Sequence, residues 1–373
     1  MSVLLSALAF FVLLTVLILI HEWGHFAAAR KAGIVVEEFG FGLPPRAKTL
    51  FVQKGTVFSL NWIPFGGFVR LKGENAITER ERKSKGSFSG APIYARLIVL
   101  LAGVCMNLLL ALVLLTIGFS FGRWIPTYLS LEAMQAAATR GEIRLELGVL
   151  VSEVVSGGTA AVVGLPAQSV LFTVDSVAVT DPAQVAELQA GKTEVTYEFA
   201  PITDFKDPAE RTEMTIPLTD GKAGVSLVPF PLELSAPTRN IGEAFIITIR
   251  EIGIITGQTV LGIGKLFSSL FRTGVVPEGV SGIVGIAQLT YASVQEGFMT
   301  YLRLVALLSL SLAVLNVLPF PALDGGRVVF VLVELISRRP LNRHFEMATN
   351  AIGFGFLILL IVLITFYDIV RLF

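Results

Sequence analysis

Four long apolar stretches alternate with polar segments along this chain. They cover residues 3–27, 95–121, 302–320 and 350–370 and consist mainly of Leu, Val, Ile, Phe and Ala. A helix needs about 20 such residues to cross the hydrocarbon core of a bilayer. The pattern therefore predicts a polytopic α-helical membrane protein with four transmembrane helices. The first stretch has no basic region and no small-residue cleavage site, so we interpret it as a retained span rather than a signal peptide.

Residues 34–75 follow a different pattern, in which β-branched and aromatic runs are interrupted by Gly and Pro. This pattern predicts β-hairpins. Their apolar character beside a span favours association with the membrane, and an ordinary cytoplasmic hairpin is the alternative. Residues 76–90 are charged and rich in Ser and Gly, which is typical of a mobile linker.

Two further segments separate the second and third spans. Residues 123–236 contain short alternating runs that predict strands, and Asp181 is placed to cap a short helix, so the segment predicts one soluble α/β domain. Residues 237–300 carry apolar side chains at helical spacing around Arg250 and Glu251. An amphipathic helix along the membrane surface suits that charged pair better than a fifth span does.

Composition agrees with a membrane protein. Hydrophobic residues make up 53% of the chain and charged residues 16%, and the mean hydropathy is +0.73. Soluble domains carry about 25% charged residues. Cys105 is the only cysteine, so a disulfide within the chain is excluded, and we interpret it as a small buried apolar residue.

Charge is unevenly distributed, although the net charge is zero. Segment 30–96 carries twelve Lys or Arg and five Asp or Glu, whereas segment 123–302 carries eleven basic and nineteen acidic residues. Because cytoplasmic loops are enriched in Lys and Arg, we place segment 30–96 and the loop 338–343 in the cytoplasm. Both termini and the acidic segment are then extracytoplasmic.

The most specific signal is His21-Glu22-Trp23-Gly24-His25 at the end of the first span. Positions i and i+4 share one face of a helix, so His21 and His25 can hold one metal ion, and Glu22 beside them can take a proton from water. Histidines at a membrane interface without a metal are the alternative interpretation. Polar groups at membrane depth are expensive and usually functional, which favours the metal site.

A candidate third ligand follows the third span, within Asn316–Gly326. Zinc in hydrolases takes three protein ligands and leaves a fourth position for water. Asp324 is a carboxylate beside a span, and the Pro and Gly residues around it free the backbone so that its side chain can point inward. The alternative is that Asp324 only caps the helix that follows.

These motifs resemble those of the site-2 proteases, which are intramembrane zinc metalloproteases, and in particular their bacterial RseP-like branch. His21–His25 matches the family's His-Glu-x-x-His motif, and Asn316–Gly325 matches its Asn-x-x-Pro-x-Pro-x-Leu-Asp-Gly motif. Gly40–Gly42 and Pro64–Gly67 are similar to the family's membrane-associated β-hairpin region. Residues 123–236 are similar to one extracytoplasmic PDZ domain.

The resemblance implies a Zn2+ cofactor and a set of site residues. The implied zinc ligands are His21, His25 and Asp324, and the implied catalytic base is Glu22. Substrate contacts are predicted at Asn316 and Pro319 of the second motif, and at a candidate edge strand containing Gly66, Gly67, Phe68 and Val69.

The chain departs from the family pattern at three places. Val104 and Ile283 stand where Pro is usual, and neither change touches the predicted chemistry. Pro166-Ala167-Gln168 replaces the usual Pro-Gly-Asp turn of the PDZ-like domain. This leaves two roles open for the domain, which are binding of peptides and selection of substrates by size.

The predicted function is a zinc-dependent intramembrane endopeptidase in the bacterial inner membrane. Its predicted substrates are transmembrane segments of single-span proteins, of the anti-sigma factor or remnant signal peptide type, already trimmed by a separate site-1 protease. The alternative is a non-catalytic membrane adaptor that binds clients through the PDZ-like domain. A transporter is disfavoured because the sequence shows no inverted repeat.

The predicted domain boundaries follow from these assignments. In order they are the first span with the zinc motif (1–29), the cytoplasmic hairpins and linker (30–94), the second span (95–122), the PDZ-like domain (123–236), the amphipathic surface segment (237–300), the third span with the third zinc ligand (301–330), a cytoplasmic loop (331–349) and the fourth span (350–373).

Overall fold

The computed structural model describes residues 3–277, 279–339 and 341–372 of the chain. Its first part contains α1 (Val3–Lys31), β1 (Val36–Gln53), β2 (Thr56–Leu71), α2 (Glu79–Arg82) and α3 (Ile93–Ser120). The middle part contains α4 (Leu131–Thr139), β3 (Arg144–Val154), α5 (Thr159–Val163), β4 (Ser169–Val174), β5 (Val177–Ala178), α6 (Pro182–Gln189), β6 (Glu194–Pro201), β7 (Thr212–Pro217) and β8 (Val225–Ser235). The last part contains α7 (Ile241–Thr273), α8 (Ile283–Glu296), α9 (Phe298–Val317), α10 (Asp324–Ser337) and α11 (Arg343–Val370).

The chain divides into two units. The first, which we call the helical unit, consists of Met1–Pro126 and Arg239–Phe373, and the second consists of Thr127–Thr238. In the helical unit, α3 contacts α1, α7, α9 and α10. Small residues make this possible, because Gly103 and Ala111 of α3 are buried and let neighbouring helices approach closely.

Five helices in the described part of the chain are long and apolar enough to cross a membrane, namely α1, α3, α7, α9 and α11. Four spans were predicted, so that count is not confirmed, and the additional helix is α7. Its first half packs along α3, where Ala244 shares a cluster with Phe119, and Ile255 shares another with Ala111. Its last turns pack against α11 through Leu266. The predicted surface position of residues 237–300 therefore stays a prediction.

Cys105 corrects one detail of the sequence analysis. It was interpreted as a buried apolar residue, but the structure places it on an exposed face of α3. Within a span, that exposed face is one that lipid can cover, so a thiol there has the same apolar surroundings without being enclosed by protein.

The predicted hairpins form a sheet in which β1 and β2 both fold back. Residues 38–41 pair on one side with residues 57–60 and on the other with residues 67–70. Residues 48–53 pair with the opposite side of 56–60. The end of β2, residues 67–71, is consequently an outer strand, which pairs along one edge only with other strands of the described residues, and we call it the edge strand. It reaches this position through a turn at Gly66, whose φ of +91° suits glycine.

The segment predicted as a mobile linker, residues 76–90, contains a short helix and several hydrogen bonds, and its mobility stays a prediction. Helix α2 begins with a capping box in which Thr78 and Glu81 exchange side-chain and backbone hydrogen bonds. Ser89 Oγ donates to the Gly73 carbonyl over 2.7 Å. The sequence pattern missed this because charged and Ser-rich stretches are typical both of linkers and of capped short helices.

The second unit, Thr127–Thr238, is a mixed α/β domain, and the predicted domain bounds of 123–236 stay a prediction. Its antiparallel sheet has the order β7-β6-β4-β3-β8, and β5 pairs with β4. The apolar core includes Val149, Leu171, Tyr197 and Ile216, all fully buried. Helix α6 starts at the predicted cap, where the Ala183 N–H donates to Asp181 Oδ1 over 2.7 Å. The PDZ-like character of this unit stays a prediction.

Candidate metal centre and its clefts

The two histidines of the first motif lie on the last turns of α1, where this helix meets α3. His21 Nε2 and His25 Nε2 are 3.1 Å apart, as the i and i+4 spacing requires. His25 is held from its other side, because its Nδ1 donates to the Val99 carbonyl of α3 over 2.7 Å. That hydrogen bond fixes the tautomer of His25 and leaves a lone pair on its Nε2.

Asp324 completes the cluster as the first residue of α10. Its Oδ2 lies 3.0 Å from His21 Nε2 and 3.4 Å from His25 Nε2. One ligand atom from each of the three residues lies within 4.8 Å of the other two, and all three side chains are largely buried. The described side chains therefore bring together nitrogen and oxygen donors from two distant parts of the sequence.

This donor set fits zinc. Zinc bonds to His nitrogen and carboxylate oxygen at about 2.0–2.2 Å, so tetrahedral ligands lie about 3.3 Å from one another. The distances between the three donor atoms, 3.0 to 3.4 Å, lie around that value. In addition, the Asp324 carboxylate is largely buried, and its Oδ2 lies 3.0 Å from His21 Nε2 and 3.4 Å from His25 Nε2. A cation between these three donor atoms would offset the cost of burying the carboxylate.

Glycines make this close arrangement possible. A Cβ on Gly103 would overlap the imidazole ring of His25, and a Cβ on Gly24 would overlap the Ala102 carbonyl. Helices α1 and α3 can therefore approach at the metal centre only because both positions lack a side chain. Gly325 plays the same part for α10, because its Cβ would overlap the Val317 carbonyl at the end of α9.

Two clefts open onto the metal centre, one bordering all three candidate ligands and the other bordering His21 and Asp324. The first, which we call the strand cleft, measures about 370 Å³. Its lining includes the edge-strand residues Phe68, Val69, Arg70 and Leu71, together with Glu22, Glu74 and Arg327. The second, which we call the helix cleft, measures about 270 Å³. Its lining includes Leu17, Ile18, Asn107, Leu312 and Asn316, again together with Glu22.

The structure therefore brings together most of the residues predicted from the sequence. Glu22 borders both clefts beside the metal ligands. Asn316 lines the helix cleft, and Phe68 and Val69 line the strand cleft. Gly67 lies behind Glu22, since a Cβ there would be 3.5 Å from Glu22 Cγ.

Two other predicted substrate contacts do not line these clefts. Gly66 forms the turn that starts the edge strand, and Pro319 lies in the connection between α9 and α10. Neither residue lies among the described side chains and backbone that line the two clefts. Their direct contact with substrate stays a prediction.

Sequence reasoning gave no role at the site to a second group of residues. The Val99 carbonyl orients His25, and a backbone atom carries no residue-type signal. Glu74 and Arg327 form an ion pair across the strand cleft. The sequence offered one hint for Arg327, which follows Asp324 by three positions and so lies near the same helix face.

Comparison with known proteins decides the family. The model of peptidase family M50 matches residues 9–360, which is most of the chain. The chain belongs to peptidase family M50. This family contains the site-2 proteases, so the resemblance seen in the two motifs is confirmed.

Relatives of this M50 protein carry names that agree. The zinc metalloprotease RasP of Oceanobacillus iheyensis is 27% identical over 442 residues, covering 99% of each chain. A protein of Fusobacterium nucleatum, provisionally named a zinc metalloprotease, is 29% identical over 377 residues, covering 97% of this chain and 98% of its own. A Clostridium perfringens protein with the same kind of name is 29% identical over 372 residues, covering 99% of each chain.

Three predictions are thereby confirmed, namely the family, the metalloprotease activity and the zinc cofactor. The M50 protein is a zinc-dependent metalloprotease of the site-2 type, with several helices able to span a membrane. The adaptor and transporter alternatives lose their support.

Proposed function

We propose that this M50 protein is an intramembrane endopeptidase whose zinc is held by His21, His25 and Asp324. The observation that carries the proposal is the convergence of these three side chains, whose donor atoms lie 3.0 to 3.4 Å apart. His21 and His25 lie on α1, which is long and apolar enough to cross a membrane, and Asp324 lies just after α9, which is another such helix. When bound, zinc supplies Lewis-acid chemistry that makes water nucleophilic near neutral pH and polarises a carbonyl.

Glu22 is the proton carrier in this mechanism. It borders both clefts and follows His21 directly, so its carboxylate lies next to the site where water and the scissile carbonyl would meet. It accepts the proton of the attacking water and delivers it to the nitrogen of the leaving amine. Gly67 of the edge strand lies directly beside Glu22, because a Cβ there would be in van der Waals contact with Glu22 Cγ at 3.5 Å.

The edge strand positions the substrate. A transmembrane helix hides its carbonyls in internal hydrogen bonds, so the scissile segment must unwind before it is cleaved. An unwound segment can pair with the free edge of residues 67–71, as in β-augmentation. Phe68 and Val69 line the strand cleft at this edge. Asn316 contacts the substrate backbone from the helix cleft.

The proposed substrates are transmembrane segments of single-span proteins, of the anti-sigma factor or remnant signal peptide type, after a separate site-1 protease has removed their outer domains. The proposed location is the bacterial inner membrane. The excess of Lys and Arg in segment 30–96 supports an active site toward the cytoplasm, with both termini and the PDZ-like domain outside.

The test is Glu22→Gln in the full chain, reconstituted with a synthetic single-span helix of Leu and Ala that carries a central Gly-Ser pair. The expected result is stoichiometric zinc with cleavage reduced by about 10²- to 10⁴-fold, the usual contribution of a general base. Glu79→Gln makes the same chemical change at an exposed glutamate of α2 and should cleave normally.

Two outcomes would count against the proposal. Undiminished cleavage by Glu22→Gln would remove Glu22 from the mechanism. A purified wild-type protein that neither retains zinc nor cleaves the helix would exclude the proposed function and return attention to the adaptor alternative.

A further inference from the structure

Asn107 of α3 is a buried amide that the fold leaves without a partner. The residue is 1% exposed, and neither its Oδ1 nor its Nδ2 has a hydrogen-bond partner among the described residues. Asn107 borders the helix cleft, whose lining also includes His21, Glu22 and Asn316. This places two carboxamide side chains, from α3 and α9, beside the same part of the metal centre.

The position has no structural need for an amide. The contact between α3 and α9 uses the backbone of Asn107, whose carbonyl accepts a hydrogen bond from Ser309 Oγ over 2.8 Å. A leucine side chain of nearly the same length would preserve that contact. Burying an unpaired amide costs free energy, and polar side chains at membrane depth are usually kept for function.

The architecture of the site indicates what the amide would bind. An unwound substrate exposes backbone N–H and C=O groups on both of its sides, and at membrane depth each of them needs a partner. The edge strand can satisfy one side of the substrate. The other side faces α3 and α9, and helices offer no free backbone groups because their own hydrogen bonds use them. Partners there must come from side chains or from the non-helical backbone of Ala322 and Leu323, which also line the helix cleft.

A carboxamide meets this need because it has one acceptor and two donors, like the peptide group itself. We propose that Asn107 binds the backbone of the unwound substrate on the helix side of the metal centre. Asn107 and Asn316 would bind the substrate together, and we call these two side chains the amide pair. The edge strand and the amide pair then hold the substrate from opposite sides. This inference rests on the proposed function, since it assigns a further substrate-binding residue to the same site.

The experiment measures substrate binding separately from cleavage. Asn107→Leu is introduced into Glu22→Gln protein, and the affinity for the synthetic Leu and Ala helix is measured in nanodiscs. The expected loss of affinity is about tenfold, the effect of losing one or two hydrogen bonds. Zinc content should be unchanged, and the melting temperature should be equal to or higher than that of the parent, because an unpaired buried amide has been removed.

Ser309→Ala is the matched control. It removes the hydrogen bond to the Asn107 carbonyl at the same helix contact but keeps the amide. It should lower the melting temperature slightly and leave the affinity for the helix unchanged. In otherwise wild-type protein, Asn107→Leu should lower kcat/KM by about the same factor as the affinity.

The outcomes separate this inference from the proposed function. If wild-type protein cleaves the helix and Asn107→Leu matches it in affinity and kcat/KM, the amide pair is excluded and the protease function stands. If Asn107→Leu loses zinc or melts at a markedly lower temperature, its role is structural and the inference also fails. If wild-type protein neither retains zinc nor cleaves the helix, the proposed function itself is excluded.

Discussion

The two units of this protein differ in the kinds of side chain that they bury. The unit formed by Thr127–Thr238 has an apolar core, and Ser169 and Gln189 are its buried polar side chains in the described part of the chain. The helical unit buries charged groups, among them Glu38 and Arg96, in addition to the metal ligands. The second unit therefore resembles an ordinary soluble domain, whereas the helical unit carries charge into its interior.

The difference separates stability from chemistry. Apolar burial is non-directional, so the core of the second unit stabilises a fold without fixing individual atoms. Buried charges need partners with defined geometry, and they hold specific side chains in place at a cost in solvation. Arg96 and Glu334 show this, because their 2.5 Å ion pair joins α3, which orients His25, to α10, which carries Asp324.

The largest effect is expected where Gly103 of α3 lies against His25 of α1. Gly103→Ala places a methyl group against the His25 ring, so either the helices separate or the ring turns. We expect zinc binding and cleavage to be lost, as measured by metal analysis and turnover of the synthetic helix. Gly257→Ala in α7 is the control, since its Cβ meets no atom within 4 Å. Normal zinc content in Gly103→Ala would show that the contact is not critical.

Next in size is the buried ion pair between α3 and α10. Arg96→Met leaves Glu334 buried without its partner and should lower the unfolding free energy of the helical unit by about 3–5 kcal/mol. The double variant Arg96→Met, Glu334→Leu should recover most of that stability. Denaturant titration in detergent provides the measurement, and a double variant no better than the single one would refute the assignment of the loss to an unpaired charge.

The apolar core of the second unit should respond differently. Ile216 is fully buried in the sheet core, and Ile216→Ala should lower the unfolding free energy of that unit by about 2–5 kcal/mol. Zinc content should remain stoichiometric, because the three proposed ligands belong to the helical unit. A parallel loss of zinc would show that the contrast between the units does not extend to their stability.

The smallest effect is a pH dependence in the β1–β2 sheet. Burial by itself raises the pKa of Glu38, but hydrogen bonds from Arg46 and Ser59 and the charges of Arg46 and Arg70 hold that pKa below its usual value. A lowered pKa in the folded state adds stability above the unfolded value of about 4.3, and this stability is lost as the pH falls through the folded value. Wild type should therefore exceed Glu38→Gln in stability at pH 7, and the difference should shrink below about pH 4.

Glu37→Gln is the matched control for that measurement. The Glu37 side chain lies on the exposed face of the same strand. The unfolding free energy of the Glu37→Gln protein should therefore equal that of wild type at every pH. A stability difference between wild type and Glu38→Gln that stays constant from pH 7 to pH 3 would exclude the ion-pair explanation.

The sequence predicted the parts of the fold that depend on periodicity and on motif chemistry. Long apolar runs located α1, α3, α9 and α11, and alternation located the strands of the second unit. His21, His25 and Asp324 were predicted as ligands because residue type and helix position limit which side chains can meet a metal. Their convergence then appeared in the structure without further assumptions.

What the sequence could not predict depends on contacts between distant segments. Whether α7 crosses the membrane or lies on its surface depends on its packing against α3 and α11, and no local sequence pattern encodes that packing. The unpaired state of Asn107 is likewise visible only when all its neighbours are known. The folding-back of β1 and β2 was missed because hairpin signals give strand direction but not which half of a strand lies at the edge.

The hydrogen bond from His25 to Val99 has one more consequence. His25 of α1 donates a hydrogen bond to one carbonyl of α3, and Asp324 of α10 contacts the other nitrogen of the same imidazole ring. With zinc bound there, helices from the beginning and the end of the chain are joined by one ion, so metal affinity and fold stability become linked quantities. Removal of zinc by a chelator would then destabilise the helical unit and leave the second unit folded. The dissociation constant for zinc would measure how stably α1 packs in the helical unit.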